Sequence, residues 1–256
     1  MSAPRFYCSP PLLFGDTLEL PPEAAHHANR VLRLRVNDPV QVFDGEGNAL
    51  DATISEISGK RVVLGRLKPC AAELLPPLRI VLAQAMCSSE KMDWVVQKAT
   101  ELGAAEIQPV QTQRSVARLS SERAEKRAEH WRSVTISACE QCGRNTLPQA
   151  HAPQEFSAWL AQIRDVPGAK FILQPEGSTA LYKQPSPQGK VTLLIGPEGG
   201  FSADEVLMAH QVGFVPILLG SRVLRTETAA VAGITALQTL WGDFSQDANQ
   251  LGIIEE

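Results

Sequence analysis

The chain has 256 residues, enough for one large or two small domains, and 44% hydrophobic and 20% charged residues are typical of an ordinary globular protein. Its formal net charge of −4 excludes a strongly basic nucleic-acid-binding protein, so any contact with nucleic acid must come from local basic patches. The sequence contains no run of 18 apolar residues, so we expect no membrane span, and its first residues lack the apolar core of a signal peptide.

Residues 1–72 predict a small β-barrel. Short β-branched runs are separated by Gly, Asn and Asp, and there are too few of them for two stacked sheets. One helix interrupts these strands. Pro21 and Pro22 can open it, and the spacing of its apolar residues predicts that it continues over 23–35.

Residues 73–256 predict a second domain of the α/β class. After a linker rich in Pro and Ala at 68–79, continuous apolar strands alternate with helices, which is typical of a parallel sheet covered by helices on both faces. The last helix contains the stretch "AAVAGITALQTL". Its small residues fit either a dimer face or close packing against the sheet.

The five cysteines are odd in number and irregularly spaced, which predicts a reducing, cytosolic setting. Cys139 and Cys142 form a CxxC pair that fits either a redox or metal pair, or two small residues near a helix end. No second CxxC completes a zinc site, so the helix-end interpretation is favoured and no metal is expected.

Three predicted strands end in glycine-containing loops, at 173–178, 195–201 and 219–229. Ligands of open α/β sheets bind at the carboxyl ends of strands, and glycine lets the backbone approach a flat ligand closely. The loops lack the Lys and Ser/Thr of a phosphate-binding loop, and HExxH and GxSxG motifs are absent from the sequence. They therefore favour a neutral or cationic nucleoside, unless the glycines merely terminate strands.

The stretches "LLIGPEGGFSADEV" and "LGSRVLRTETAAVAGITALQ" together resemble the SPOUT class of S-adenosylmethionine-dependent RNA methyltransferases, and within it the RsmE family of 16S rRNA uracil-N3 methyltransferases. The stretches "HHANRVLRLRVND", "KMDWVVQKATELGAAEIQPVQTQRSV" and "ACEQCGRNTLP" agree with that family in order and spacing. Two positions depart from the family pattern: Cys142 stands where Ser is usual, and Gln113 stands where an acid is usual. The second departure argues against an essential carboxylate at 113.

The resemblance implies an N-terminal PUA-like β-barrel that binds RNA, and a C-terminal SPOUT domain with a deep trefoil knot that holds S-adenosylmethionine. It also implies a homodimer with its active site near the subunit interface. The substrate would be uridine 1498 of 16S rRNA in the small ribosomal subunit, methylated at N3. A ribose 2′-O-methyltransferase, a non-catalytic RNA-binding assembly factor and a small-molecule nucleotide enzyme are the alternatives.

The resemblance also assigns residues. The cofactor-binding residues are expected to be Leu173, Ile195, Gly196, Pro197, Glu198, Gly199, Gly200, Leu219, Gly220, Val223 and Leu224. Glu198 or Arg225 is expected to handle the uracil proton or the charge that it leaves, although Glu198 also fits a solvated loop acid. Glu227 fits a simple role in the first turn of the last helix.

The residues expected to bind RNA are Arg5, His27, Arg30, Arg33 and Arg35 in the barrel, with Arg114 and Arg144 in the catalytic domain. Arg30 and Arg33 are predicted to share one helix face, one turn apart. Arg suits phosphate because its guanidinium donates two parallel hydrogen bonds. One of the two adjacent histidines, His26 and His27, is expected to pack against its neighbours.

Overall fold

The computed structural model describes residues 3–12, 15–71, 73–115, 120–176 and 178–245. The chain divides into two compact units, of which unit 1 comprises Met1–Leu74 with Ile136–Leu147, and unit 2 comprises Leu75–Thr135 with Pro148–Glu256.

Unit 1 is built on a five-stranded sheet. Its strands are β1 Arg5–Tyr7, β2 Thr17–Glu19, β3 Pro39–Phe43, β4 Ala49–Ser58 and β5 Arg61–Pro69. They lie in the order β1-β3-β4-β5-β2, with β1 parallel to β3 and the other neighbours antiparallel. Irregularities in the pairing of β4 with β5 provide the local bends that a small, strongly curved sheet requires. Phe6, Leu20, Val42, Ile54 and Leu64 form its buried core.

The helix of unit 1 is shorter than the sequence predicts. Helix α1 covers Pro22–His26 and continues as a π-helical turn over His27–Val31, where the Leu32 N–H bonds the His27 carbonyl. The chain then leaves the helix, and Arg33 takes a left-handed conformation with φ of 55°. The predicted extension to residue 35 is therefore wrong.

The segment Ile136–Leu147 belongs to unit 1, although no sequence pattern predicted it. Cys139 is fully buried against Phe43, and Leu147 packs on the same cluster. The Gly45 carbonyl accepts a hydrogen bond of 2.9 Å from the Leu147 N–H. These contacts join two parts of the sequence that are about a hundred residues apart, so local patterns carry no sign of them.

Unit 2 is built on a parallel sheet, as predicted. Its strands are β6 Arg79–Ala85, β7 Glu106–Gln111, β8 Gln149–Ala150, β9 Gln154–Glu155, β10 Ala169–Leu173, β11 Thr179–Ala180, β12 Lys190–Ile195 and β13 Val215–Leu218. They lie in the order β11-β13-β10-β12-β6-β7-β8, and β9 also pairs with β7. Every pairing of these strands is parallel.

Helices cover both faces of this sheet. The remaining helices are α2 Ser89–Glu101, α3 Ser121–Cys142, α4 Phe156–Ile163, α5 Ala203–Gln211 and α6 Thr226–Trp241, with 3₁₀ turns at Leu181–Lys183 and Asp243–Ser245. Alternate strand residues point to opposite faces: Leu193 packs in the cluster that includes α2 and α6, and Leu194 packs in the cluster that includes α4 and α5. The predicted α/β class is confirmed.

The last helix, α6, packs against its own sheet. A Cβ at Gly233 would lie 2.6 Å from Cδ2 of Leu193 on β12, so glycine permits a close approach there. Ile234 and Leu237 on the same helix are fully buried. The small residues of "AAVAGITALQTL" were expected either to form a dimer face or to pack against the sheet. At Gly233, Ile234 and Leu237 this stretch packs against the sheet.

Candidate functional site

A cavity of about 860 Å³ lies at the carboxyl ends of β10, β12 and β13 in unit 2. Its size is within the usual range for a site that buries a small organic ligand. These three strands are neighbours in the sheet, so the loops that follow them meet at one edge. The three glycine-containing loops that the sequence singled out therefore surround one space.

All eleven residues predicted to bind a cofactor line this cavity: Leu173, Ile195, Gly196, Pro197, Glu198, Gly199, Gly200, Leu219, Gly220, Val223 and Leu224. Arg225 and Arg114, which were predicted to act on the substrate or on RNA, also line it. Lys91, Arg222 and Thr226 line it as well, and sequence reasoning did not single out any of them.

The loop after β12 is a tight turn fixed at both ends. The Pro197 carbonyl accepts a hydrogen bond of 2.9 Å from the Gly200 N–H, and Gly200 takes a φ of +67° that favours glycine. Helix α5 then begins with a capping box, in which Ser202 and Glu205 each bond the other's backbone N–H. The glycines thus form a backbone wall that leads directly into a stable helix.

A buried hydrogen-bond chain connects this loop to the start of α6. Gln84, fully buried at the end of β6, donates from Nε2 to Oγ1 of Thr226 at 2.9 Å. Oγ1 of Thr226 donates in turn to the carbonyl oxygen of Gly196 at 2.6 Å. In the sequence, this arrangement is visible only as a glutamine within a mostly apolar strand. The pattern of buried residues does not reveal which group that glutamine contacts.

The segment after β7 is attached to the same loop. Arg114 donates from Nη1 to the Gly199 carbonyl at 2.8 Å. The carboxylate of Glu205 accepts from the Gln113 N–H at 2.7 Å through Oε1 and from the Ser202 N–H at 2.8 Å through Oε2. The backbone at 113 is therefore held by a carboxylate from α5, and the side chain at 113 need not supply one.

Lys91, in the first turn of α2, lies between two carboxylates. Its Nζ is 3.0 Å from Oε1 of Glu198 and 3.5 Å from Oε2 of Glu227. Partial burial opposes the ionisation of Glu198, but hydrogen bonds from its own backbone N–H, from Lys91 and from the Ser88 N–H outweigh it and lower its pKa. The hydrogen bond to Glu198 likewise raises the pKa of Lys91. Both groups are therefore ionised near neutral pH.

The rim of the cavity carries an excess of positive charge. Lys91, Arg114, Arg222 and Arg225 line the cavity, as do the carboxylates Glu176 and Glu198. Arg222 and Arg225 are exposed, and Val223 between them has 91% of its surface exposed. A chain with a net charge of −4 thus has a local cationic surface at the opening of this cavity.

The predicted RNA-binding residues are divided between the units. Arg114 lies in unit 2, and the other six lie in unit 1: Arg5, His27, Arg30, Arg33, Arg35 and Arg144. The placement of Arg144 in the catalytic domain is wrong, because the segment Ile136–Leu147 folds with unit 1.

Two of the residues in unit 1 make structural contacts. Arg5 donates to the Gln41 side chain, to the Arg144 carbonyl at 2.9 Å and to Oδ1 of Asn145 at 2.7 Å, and it stacks over Phe43. His27 meets the ring of Phe6 edge-on, so it is the packing histidine of the pair, whereas His26 is exposed.

Arg30, Arg33 and Arg35 are exposed. Arg33 lies beyond the π-helical turn, so the prediction that Arg30 and Arg33 share a helix face is wrong. The exposed apolar residues Val31, Leu32 and Val36 alternate with these arginines along the chain.

The two cysteines of the CxxC pair lie at the end of α3 and are not joined by a disulfide. A hydrogen bond with Cys142, together with burial, raises the pKa of the Cys139 thiol far above its usual range, so it stays protonated.

Among the described residues, no three His, Cys, Asp or Glu side chains form a group that could hold a metal ion. Within the same residues, every helix is too short or too polar to cross a bilayer.

A family model described as an RNA methyltransferase domain matches residues 75–238, and one described as an RNA methyltransferase PUA domain matches residues 20–65. The ribosomal RNA small subunit methyltransferase E of Buchnera aphidicola (strain Sg) is 34% identical to this chain over 94% of it and 98% of its own length. The chain belongs to the ribosomal RNA small subunit methyltransferase E (RsmE) family.

Solved structures agree with this membership of the RsmE family. A methyltransferase from Legionella pneumophila, in complex with the cofactor SAM, is 36% identical with a TM-score of 0.89 and covers 95% of this chain and 100% of its own. The RsmE protein of Neisseria gonorrhoeae, bound to S-adenosyl methionine, is 38% identical with a TM-score of 0.87 and the same coverage. The predicted SPOUT fold with an N-terminal PUA-like domain is confirmed.

Proposed function

We propose that this chain transfers a methyl group from S-adenosylmethionine to N3 of uridine 1498 in the 16S rRNA of the small ribosomal subunit. The observation that carries this proposal is the single cavity into which all eleven residues assigned to the methyl donor converge. The names of its relatives support rRNA of the small subunit as the substrate, and two solved relatives contain the same cofactor.

The residues of the cavity fit this cofactor. Leu173, Ile195, Leu219 and Leu224 provide apolar walls for a flat purine, and the glycine loop provides backbone groups that can read its edge. A Cβ at Gly196 would come within 3.1 Å of the Phe201 ring, so a larger residue would disturb this wall. When bound, S-adenosylmethionine supplies a methyl group on a positively charged sulfur, which keeps the electron pair of the broken C–S bond.

The chain's own residues then have two tasks. The single proton on N3 of uracil must leave so that this nitrogen can form the new bond to carbon, and the negative charge that spreads to O2 and O4 must be stabilised. We assign the stabilisation of this negative charge to Arg225, because it is exposed on the rim and its guanidinium can donate two parallel hydrogen bonds. Glu198 is ionised and can accept the proton or pass it to water.

The Glu198→Gln variant tests the second assignment. Gln keeps the size of the side chain and an oxygen acceptor for Lys91, but it cannot take up a proton. We expect turnover to fall by more than any loss of S-adenosylmethionine affinity that follows from the weakened contact with Lys91. Unchanged turnover with intact affinity would remove Glu198 from proton transfer.

RNA binding is proposed to use both units. Arg30, Arg33 and Arg35 are exposed in unit 1, and Arg222 and Arg225 are exposed on the rim of the cavity in unit 2. Arg5 and His27 retain a predicted part in RNA binding, although their contacts within unit 1 compete with it. Arg114 and Arg144 also remain candidates.

Further parts of the proposal concern topology and assembly. We propose a trefoil knot in unit 2, because the segment 219–225 leads from β13 on one side of β10 to α6, which packs against β12 and β6 on the other.

We also propose a cytoplasmic homodimer. The exposed apolar side chains Trp94 and Leu240 of unit 2 offer surface for such an interface, which light scattering would detect.

A 2′-O-methyltransferase is the alternative within the same fold. The two reactions are distinguished by treating small subunits from a strain that lacks this gene with the purified protein and labelled cofactor. Methylation at N3 blocks the pairing edge of uracil, so reverse transcription would stop at uridine 1498. Methylation of the ribose would instead protect the adjacent phosphodiester from alkaline cleavage, and no label would support a non-catalytic RNA-binding factor.

A further inference from the structure

Lys91 connects three elements that surround the cavity. It lies in the first turn of α2 and contacts Glu198 of the loop after β12 and Glu227 in the first turn of α6. The Ser88 backbone, which precedes α2, also contributes to the lowered pKa of the Glu198 carboxyl. One ammonium group thus joins α2 to two carboxylates that lie more than a hundred positions further along the sequence.

This arrangement differs from an ordinary surface ion pair, which contributes little because both side chains are hydrated and mobile. The exposed fractions are 30% for the Lys91 side chain, 35% for Glu198 and 18% for Glu227. Oε2 of Glu227 is buried, and among the described residues it has no hydrogen-bond partner of good geometry. The 3.5 Å contact with Lys91 is therefore the main interaction that offsets the burial of this carboxylate oxygen.

We propose that Lys91 is a positioning residue for methyl transfer, because it binds Glu198 and Glu227 at once and thereby holds the glycine loop and the start of α6 around the methyl donor. The inference rests on the proposed function. Lys91 acts through the two carboxylates, and no contact of Lys91 with substrate is required.

The charges around Lys91 explain why its loss would matter. Glu198 faces it from the loop after β12, Glu227 from α6, and the protonated thiol of Cys87 from the segment before α2. Without the ammonium group, two carboxylates would face each other with no cation between them, and like charges at short range repel. One carboxylate would then move away or take up a proton at a higher pH than in the native protein.

The chain offers a matched control on the same helix. Lys98 on α2 forms an ion pair with Glu101 at 2.8 Å, and the exposed fraction of its side chain, 32%, is close to that of Lys91. Lys98 does not line the cavity. Lys98→Met therefore removes a comparable ion pair without touching the site.

The experiment uses the full chain and the variants Lys91→Met, Lys91→Gln, Lys91→Arg and Lys98→Met. Calorimetry measures the binding of S-adenosylmethionine, and ¹³C NMR follows the titration of the Glu198 carboxyl, assigned by its disappearance in Glu198→Gln. We expect Lys91→Met and Lys91→Gln to weaken cofactor binding by about 10- to 100-fold, the range for a lost charge-assisted hydrogen bond. We expect the Glu198 titration to move to higher pH in both.

Lys91→Arg should restore most of the affinity, and Lys98→Met should match the wild type in both measurements. Wild-type affinity and an unmoved Glu198 titration in Lys91→Gln would overturn the inference, even if Lys91→Met were poorly folded. If the wild-type protein did not bind S-adenosylmethionine, the proposed function would fail, and the Glu198 titration would still decide whether Lys91 controls that carboxylate.

Discussion

The hydroxyl of Thr226 donates a 2.6 Å hydrogen bond to the carbonyl of Gly196, which fixes the first residue of α6 to the end of β12. Gln84 donates to the same hydroxyl, so two buried side chains and one backbone carbonyl, from three separate parts of the chain, determine the geometry of the cavity wall. Neither Thr226 nor Gln84 lies next to Gly196 in the sequence.

Thr226→Val should destabilise the protein, because it leaves the Gly196 carbonyl without its donor and removes one acceptor of Gln84. A buried polar group without a partner costs about 1–3 kcal/mol in the free energy of unfolding. Thr226→Ser keeps the hydroxyl and should stay within about 1 kcal/mol of the wild type. Urea denaturation measures both, and equal stability of Val and Ser variants would contradict the role of this hydrogen bond.

Gly233→Ala should also lower stability, for a steric reason. The added Cβ would overlap Cδ2 of the fully buried Leu193, so α6 or β12 must shift, and overpacking of this kind costs about 1–3 kcal/mol. Thr239→Ala on the exposed side of α6 is the control and should change the free energy of unfolding by less than about 0.5 kcal/mol. A Gly233→Ala protein as stable as the control would show that this contact relaxes freely.

Arg5→Ala should destabilise unit 1 rather than act on RNA alone. The guanidinium donates to Gln41, Arg144 and Asn145, and hydrogen bonds from charged groups contribute about 1.5–3 kcal/mol. Arg35→Ala, whose side chain is exposed, is the matched control and should leave the free energy of unfolding unchanged within about 0.5 kcal/mol. Urea denaturation of the two variants tests the difference. Equal stability of the two variants would contradict the structural role of Arg5 in unit 1.

Arg33→Ala combined with Arg35→Ala should weaken RNA binding and flatten its salt dependence. Each lost phosphate contact lowers the slope of log K against log salt by about 0.7 to 0.9, so the pair should lower it by about 1.4 to 1.8. Lys60→Ala, which removes a different exposed positive charge of unit 1, is the control. Filter binding to small-subunit RNA at several salt concentrations gives the slopes, and an unchanged slope in the double variant would exclude these arginines as phosphate contacts.

Glu106 should make stability depend on pH. A hydrogen bond with His151 is the main cause that lowers the pKa of Glu106 to about 2, and the positive charges of Arg79 and Lys190 lower it further. Partial burial acts in the opposite direction. Because the folded pKa is below the unfolded value, this stabilisation is complete above about pH 4.5 and is lost as pH falls towards about 2.

Glu106→Gln should therefore lower the free energy of unfolding at pH 7 by about 1–3 kcal/mol, allowing for solvent screening of its partners. The difference from the wild type should shrink as the pH is lowered below about 4.5. Urea denaturation across this pH range measures the difference in the free energy of unfolding between the variant and the wild type. A constant gap from pH 7 to pH 3 would show that the carboxylate charge is not responsible.

The sequence by itself determined the parallel α/β class and the residues of the glycine loops. These features are local: apolar runs report which strands are buried, and glycines at strand ends report where the backbone must turn. The eleven residues predicted to bind a cofactor line one cavity because the parallel strands that precede them are neighbours in the sheet. The helix end at Val31 was missed because its last turn is π-helical, which apolar spacing does not distinguish from an α-helix.

Only the tertiary structure decided which side chains meet. It brought Lys91 to Glu198 and Glu227, Gln84 to Thr226, and the segment Ile136–Leu147 to the strands of unit 1. The periodicity of apolar residues indicates whether a residue is buried. Its hydrogen-bond or ion-pair partner depends on which distant segments of the chain lie next to each other in the fold. For that reason the sequence alone named the cavity's walls, whereas the polar contacts that hold those walls in place became visible only in the fold.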